Sequence, residues 1–419
     1  MTPNTSIYLH IPFCKHRCAY CDFNTYARQE DSIPAYVTAL INEIEAVSAL
    51  KLDPINVHTV FFGGGTPSLL SGLQFDSIMQ ALRSAFTITA DAEISIEANP
   101  GTISPQKLTE IRKAGVNRIS FGVQSANTEE LRMLERIHDF FTVIEAVSTA
   151  RKAGFDNLNL DLIYGLPEQT LSTWQTTLSR IVDLHPEHIS AYALTLEHGT
   201  PFGRWSSKGL LPLPNPDLAA DMYEYAEEFL ASNGYIHYEI SNWALNDRPL
   251  TTDHGSSSIV SGTPSFACKH NLQYWRSLPY LAFGAGAHGY ANGYRYSNAL
   301  RIKTYIDRLT NLEYQVSNTA YPISPATVNQ HKQSQKDDIS EYMLNNLRLT
   351  NAGVTESDFR LRFGLKLIDI YPKQIDELIH IGLLEYAQTS ELRNSEVCVR
   401  LTKRGRLLGN QVFMRFLID

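Results

Sequence analysis

The chain has 419 residues, 43% of them hydrophobic, and a formal net charge of −8 at pH 7. That length and apolar content support a sizeable core and two domains, one large enough for a barrel. The acidic balance argues against a general binder of nucleic acid or anionic membranes. No apolar run approaches the ~20 residues of a membrane-spanning helix. Met1-Thr-Pro-Asn-Thr-Ser carries neither a basic leader nor the glycine needed for myristoylation. A reduced, cytoplasmic setting is expected.

Ser6–Ile11 reads as a strand, and Ile33–Leu50 has helical apolar spacing. Val57–Phe62 is strand-like and Gly72–Phe86 helical. Glu93–Ala98 follows as a strand, then Ser104–Ala114 as a helix with Ser104 as its cap and Gly115 as its stop. Strands at Arg118–Val123, Asn157–Tyr164 and His188–Thr195 alternate with helices near Phe140–Ala153 and Leu171–Asp183. About six strand–helix repeats imply a parallel sheet. Such a sheet either closes partly into a TIM-like (β/α)6 barrel or stays open and doubly wound. Asn246–Pro264 is polar and turn-rich, the composition of a surface loop.

From about residue 310 helices dominate, at Ile339–Leu347 and Lys373–Ile381. A hairpin of Leu383–Tyr386 and Val397–Leu401, joined by a polar turn, precedes a helix at Arg404–Phe416. Helices followed by a small hairpin read as a compact accessory domain of winged-helix type. It lacks a dense basic recognition helix, so it reads as scaffold rather than as a DNA reader. The expected division is an α/β core at 1–245, a loop insertion at 246–264, a connecting segment at 265–309 and the accessory domain at 310–419.

Cys14, Cys18 and Cys21 stand as C-x3-C-x2-C after the first strand. Three thiolates on one short loop can hold three irons of a [4Fe–4S] cube and leave the fourth open to a small molecule. A zinc site competes, with His16, Cys268 or a distant histidine as fourth ligand, although no second C-x2-C occurs. A disulfide fits poorly with five cysteines in a reducing compartment. Further polar groups fall at or near other strand ends: Gly63-Gly64-Gly65-Thr66-Pro67, Glu97, Gln124 and Asp161. Parallel α/β folds gather ligand groups at the carboxyl ends of strands. The glycines match neither the Walker nor the dinucleotide pattern; they either admit a ligand closely or make a tight turn.

The segments Tyr8-Leu-His-Ile-Pro-Phe-Cys through Cys21-Asp-Phe, Phe62-Gly-Gly-Gly-Thr-Pro, Ile96-Glu-Ala-Asn-Pro, Ile119-Ser-Phe-Gly-Val-Gln, Arg136-Ile-His and Asp161-Leu-Ile-Tyr-Gly-Leu-Pro carry a resemblance. So do His270-Asn-Leu-Gln-Tyr-Trp, Gly284-Ala-Gly-Ala-His-Gly and Leu347-Arg-Leu-Thr. Over nearly the whole length the chain resembles the radical S-adenosylmethionine (SAM) superfamily. Within it the chain is similar to the HemW heme chaperones, relatives of the oxygen-independent coproporphyrinogen III oxidases.

The resemblance implies a partial (β/α)6 barrel with a [4Fe–4S] cluster on Cys14, Cys18 and Cys21, and SAM chelating the open iron. It places Tyr8 and Tyr20 beside SAM, Gly64, Gly65 and Thr66 along it, and Glu97 on its ribose or methionine portion. In the oxidases the positions of Gln124, Arg136 and Asp161 serve a second SAM, and Ala193 aligns with an adenine-side contact. The resemblance makes the His270 motif a heme-binding element and assigns no catalytic residue; Cys268, two residues before His270, and His288 in its glycine-rich turn stand as alternative ligands. Phe23 stands where the oxidases carry a further cysteine, and the segment before Cys14 is shorter; both favour a chaperone over porphyrinogen decarboxylation. The implied cofactors are the cluster, SAM and heme. The implied partners are heme-requiring acceptor proteins, including transient contact with membrane-bound ones, and no nucleic acid.

Overall fold

The structure, a computed structural model, describes residues 4–50, 53–246, 263–311, 321–389 and 396–417. Most of the 246–264 loop and the polar turn of the late hairpin lie outside the described residues. Two compact units interleave along the chain. One comprises Met1–Ala226 with Pro279–Lys332, the other Glu227–Leu278 with Gln333–Asp419.

In the first unit six parallel strands lie side by side in chain order: Thr5–Ile11, Asn56–Gly64, Thr87–Ala98, Arg118–Gln124, Leu158–Tyr164 and His188–Ala193. A doubly wound sheet reverses its strand order at a switch point. Here each strand hydrogen-bonds to the next in sequence, the order of a barrel wall, so the partial (β/α)6 arrangement holds. The strands are buried along much of their length, as parallel strands covered by helices are; only Asp161 interrupts the buried run from Leu158 to Tyr164.

The covering helices follow from caps and stripes. Ser71 and Gln74 form a capping box at the start of Gly72–Ala85, which buries Phe75, Ile78, Met79 and Leu82. Ser104 caps Pro105–Lys113, accepting from the Lys107 N–H, and Gly115 has φ +110° as the stop. Leu171–Val182 buries Trp174, Leu178 and Ile181, with the Trp174 indole N–H on the Met222 carbonyl at 2.8 Å.

A further parallel strand, Tyr280–Phe283, flanks Thr5–Ile11 on its other side, with Ala282 opposite Tyr8. Antiparallel strands His288–Ala291, Tyr294–Asn298 and Thr327–Lys332 extend the sheet from there. Residues just past 310 were expected to turn helical. The strand Thr327–Lys332 departs from that: most of its side chains are exposed, so it lacks the alternation that marks a half-buried strand. Buried Glu43 pins this extension to the first helix. Its carboxyl accepts from Tyr305 Oη (2.6 Å), Ser324 Oγ (2.7 Å), Asn298 Nδ2 (2.7 Å) and the Gly284 N–H (2.9 Å).

The second unit holds the hairpin Ile236–Glu239 and Asn242–Ala244, the helix Lys269–Trp275, and the helices Gln335–Asn346, Glu356–Phe363 and Pro372–His380. A three-stranded sheet runs in the order Val354–Thr355, Glu396–Leu401, Leu384–Thr389. Tyr342, Met343, Phe359, Leu401 and Phe416 share its core. The single helix expected at Arg404–Phe416 is instead three short pieces, Lys403–Leu407, Gly409–Phe413 and the 3-10 turn Met414–Phe416. The first piece breaks at Leu408, where φ is −110° and ψ 23°.

Candidate functional site

The first strand ends at Ile11, and two backbone hooks then shape the cysteine loop. Phe13–Cys14 pairs in parallel with Tyr26–Ala27, and the Tyr26 N–H bonds the Pro12 carbonyl at 2.7 Å. Cys14 closes the first of these strands and the eleven-residue excursion between them carries Cys18 and Cys21; all three thiols are partly exposed and not disulfide-bonded. Each sulfur meets a polar group. Thr66 Oγ1 donates to Cys14 Sγ at 3.6 Å, Arg136 Nη1 to Cys18 Sγ at 3.6 Å, and Cys21 Sγ lies 3.9 Å from Thr25 Oγ1.

Burial raises the Cys14 thiol pKa; the charges of Cys21 and Cys18 raise it further, against the Thr66 hydroxyl. Burial, with Cys18, likewise raises Cys21. Neighbouring thiols become thiolates when a cationic group binds them together. The donor set therefore fits an iron–sulfur cluster. Among the described residues no three His, Cys, Asp or Glu side chains gather as ligands of a single ion; in a cube each thiolate takes its own iron. His16 is turned to Glu135, with Nε2 3.0 Å from Oε2.

The glycine run is fastened to the start of this loop. The Gly65 N–H bonds Ile11 O at 2.9 Å, and the Thr66 N–H bonds Phe13 O at 2.8 Å. A Cβ on Gly65 would stand 2.6 Å from Phe13 O, so only glycine allows this approach. Gly64, at φ +107°, lies against the His10 ring. His10 Nε2 faces Asn24 O at 2.9 Å, which makes it the N–H and leaves Nδ1 to accept from Tyr8 Oη at 3.0 Å. Burial lowers the His10 pKa, in keeping with that neutral form. Tyr8 is therefore held by an internal bond beside the glycines.

The Gly64 N–H donates to Glu97 Oε2 at 3.0 Å. Burial first, and Asp161 second, push the Glu97 carboxyl from 4.5 up to about 7, with the Gly64 N–H opposing. Asp161 accepts from Ser120 Oγ and Asn159 Nδ2, both at 2.7 Å. Asn159 Oδ1 in turn lies 2.6 Å from His188 Nδ1 and accepts from Ser190 Oγ at 3.1 Å. A polar ladder thus crosses three strands beneath the site. Ser120, Asn159 and His188 were not singled out from sequence; their places on apolar strands were the available signal.

Gln124 ends its strand at φ +71°, an uncommon backbone state for a side-chain-bearing residue and typical of functional sites. Glu135, at φ +53°, leads into Arg136. Arg136 donates Nη2 to the Gly122 carbonyl at 2.7 Å, besides its bond to Cys18. It therefore braces the cysteine loop. Burial raises the Tyr20 phenol, with the Arg136 charge opposing, and its ring lies 6.4 Å from Phe202. Ala193 is exposed at its strand end, opposite Tyr164. The structure thus gathers Tyr8, Gly64 and Glu97 into one chain of contacts, and Arg136 with Tyr20 and Cys18 into another.

His270 lies in the second unit, 1% exposed, on the helix Lys269–Trp275. Its Nε2 is 2.8 Å from Tyr274 Oη, so iron ligation through that nitrogen requires the tyrosine to move. Cys268 is buried just before this helix. His288 is exposed at the start of its strand in the first unit.

The chain resembles known proteins over its whole length. A model of the Radical SAM superfamily matches residues 8–181, and one of the HemN C-terminal domain matches residues 333–408. The chain is 36% identical to a heme chaperone HemW of Lactococcus lactis, covering 100% of this chain and 98% of that protein. It is 37% identical to the HemW of Bacillus subtilis, over 98% and 99%. Among solved structures it is similar to "Coproporphyrinogen III oxidase (HemN) from Escherichia coli is a Radical SAM enzyme", with a TM-score of 0.77 and 25% identity, covering 99% of this chain and 90% of that one. No helix among the described residues is long and apolar enough to cross a membrane.

Proposed function

The chain belongs to the HemW family of heme chaperones in the radical SAM superfamily, and from that premise we propose that it binds a [4Fe–4S] cluster, SAM and heme and delivers heme to acceptor proteins. Cys14, Cys18 and Cys21 hold the cluster. The observation that carries this reading is the loop itself: three partly exposed thiols closed off at one base, with Thr66 and Arg136 each donating to a sulfur. When bound, the cluster and SAM supply one-electron chemistry. Glu97 accepts hydrogen bonds from SAM hydroxyls, Gly64 and Gly65 admit it closely, and Tyr8 and Tyr20 pack beside it. Gln124 and Asp161 complete the polar lining, and Ala193 leaves room at the rim.

In this reading the His270 element would hold heme, with His270 Nε2 able to serve as a ligand once its contact with Tyr274 Oη is given up. The identity of the curated relatives along the full chain supports the chaperone role. A second reading, coproporphyrinogen oxidation, is favoured by the fold likeness to the oxidase. Anaerobic protein titrated with hemin and assayed with coproporphyrinogen separates the two. Stoichiometric hemin uptake without conversion is the expected result; SAM-dependent formation of protoporphyrinogen overturns the chaperone reading.

A further inference from the structure

The second unit contains a group of polar atoms that its own fold does not satisfy. Glu239 and Asn242 are fully buried at the ends of the hairpin strands and hydrogen-bond to each other. Among the described residues, Glu239 Oε2 and Asn242 Oδ1 nevertheless have no hydrogen-bond partner, nor do Trp275 Nε1 and Arg348 Nε. Buried polar atoms are paired almost without exception, so a group of orphans marks a place for a polar visitor.

These atoms belong to one neighbourhood. The Arg348 guanidinium carbon stands 4.3 Å from the centre of the Trp275 ring. The Arg348 carbonyl accepts from the Ile240 N–H at 3.1 Å, and Glu239 bridges Leu349. Trp275 ends the helix that carries His270. Both Trp275 and Arg348 are only half-buried, so this neighbourhood reaches the surface. Burial raises the Glu239 carboxyl pKa, with Arg348 opposing.

We propose that Arg348 is the carboxylate-recognising group of the His270 element, its guanidinium laid on Trp275 beside Glu239 and Asn242 to receive a propionate of the porphyrin. The inference rests on the reading that the chain binds heme. A guanidinium seated over an indole, its carbon 4.3 Å from the ring centre, has its fork restrained for bidentate carboxylate binding. The Trp275 N–H supplies a further donor, and Asn242 orients Glu239.

The test titrates the full-length protein with hemin and with hemin dimethyl ester, whose propionates are blocked, in wild type, Arg348→Gln and Arg348→Lys. Wild type is expected to prefer hemin over the ester by about tenfold or more, the scale of a charge-assisted bidentate contact. Arg348→Gln is expected to bind hemin as weakly as the ester, with ester binding unchanged, and Arg348→Lys to fall between. Equal binding of hemin and ester by wild type, or equal loss of both in Arg348→Gln, overturns the inference while the heme reading stands. Failure of wild type to bind either porphyrin overturns both. The ester comparison in wild type needs no variant, so misfolding of Arg348→Gln does not obscure the answer.

Discussion

Replacing Glu97 with glutamine removes a charge from the strand-end site while keeping its size and its place beneath Gly64. Burial pushes the carboxyl up to about 7, so in the proposed SAM site a proton would compete with ribose hydroxyls near neutral pH. Only the ionised form offers acceptors on both oxygens. With a value near 7, roughly a tenth of Glu97 is ionised at pH 6, so wild-type SAM affinity is expected to drop about tenfold from pH 8.5 to 6. Glu97→Gln is expected to lose roughly ten- to a hundredfold at pH 8.5, the scale of a hydrogen bond to a charged group, and to show no such pH dependence. The sign for stability runs the other way. A folded value raised above the unfolded one means stability is present below the ordinary carboxyl range and lost as pH rises through about 7. Moving from 4.5 to about 7 corresponds to roughly 3 kcal/mol, so Glu97→Gln should melt higher than wild type at pH 8 and converge with it near pH 4.5. Calorimetric SAM titrations of anaerobically reconstituted protein, with thermal melts of the same samples, measure both. An equal pH slope in Glu97→Gln and wild type would refute the placement of Glu97 on the nucleoside.

Gly65→Ala puts a Cβ 2.6 Å from Phe13 O; about 1–3 kcal/mol of destabilisation is expected from overpacking, with reduced iron content, read by melts and iron assay. Glu43→Ala strands four buried donors, Tyr305, Ser324, Asn298 and the Gly284 N–H. It should cost about 3 kcal/mol or more in chemical denaturation, and a loss under 1 kcal/mol would contradict the described network. His270→Ala should abolish the heme absorption band while leaving iron and sulfide content unchanged; undiminished hemin uptake removes His270 from the heme site.

The (β/α)6 core was legible because apolar strand runs and capped amphipathic helices each declare themselves over ten or so residues: Ser71 with Gln74 starts one helix, and Gly115 stops another. The cysteine loop was legible from spacing, and Glu97 and Gln124 from their places at strand ends. The return of Tyr280–Phe283 beside the first strand was not, since parallel pairing between residues so distant leaves no local pattern. Thr327–Lys332 was hidden by its exposed polar side chains. The polar ladder of Ser120, Asn159 and His188 was hidden for the opposite reason, since single polar residues within buried strands carry no period. Arg136 was found from its motif, yet its bracing of Cys18 emerges only when two loops distant in sequence meet.

Iron and acid-labile sulfide content, with low-temperature EPR of the reduced protein before and after SAM, tests the central claim most directly. About four irons and four sulfides per chain are expected, falling sharply in Cys18→Ala, with a signal that shifts when SAM is added. Protein that retains no sulfide after anaerobic reconstitution, or a signal indifferent to SAM, would contradict the account.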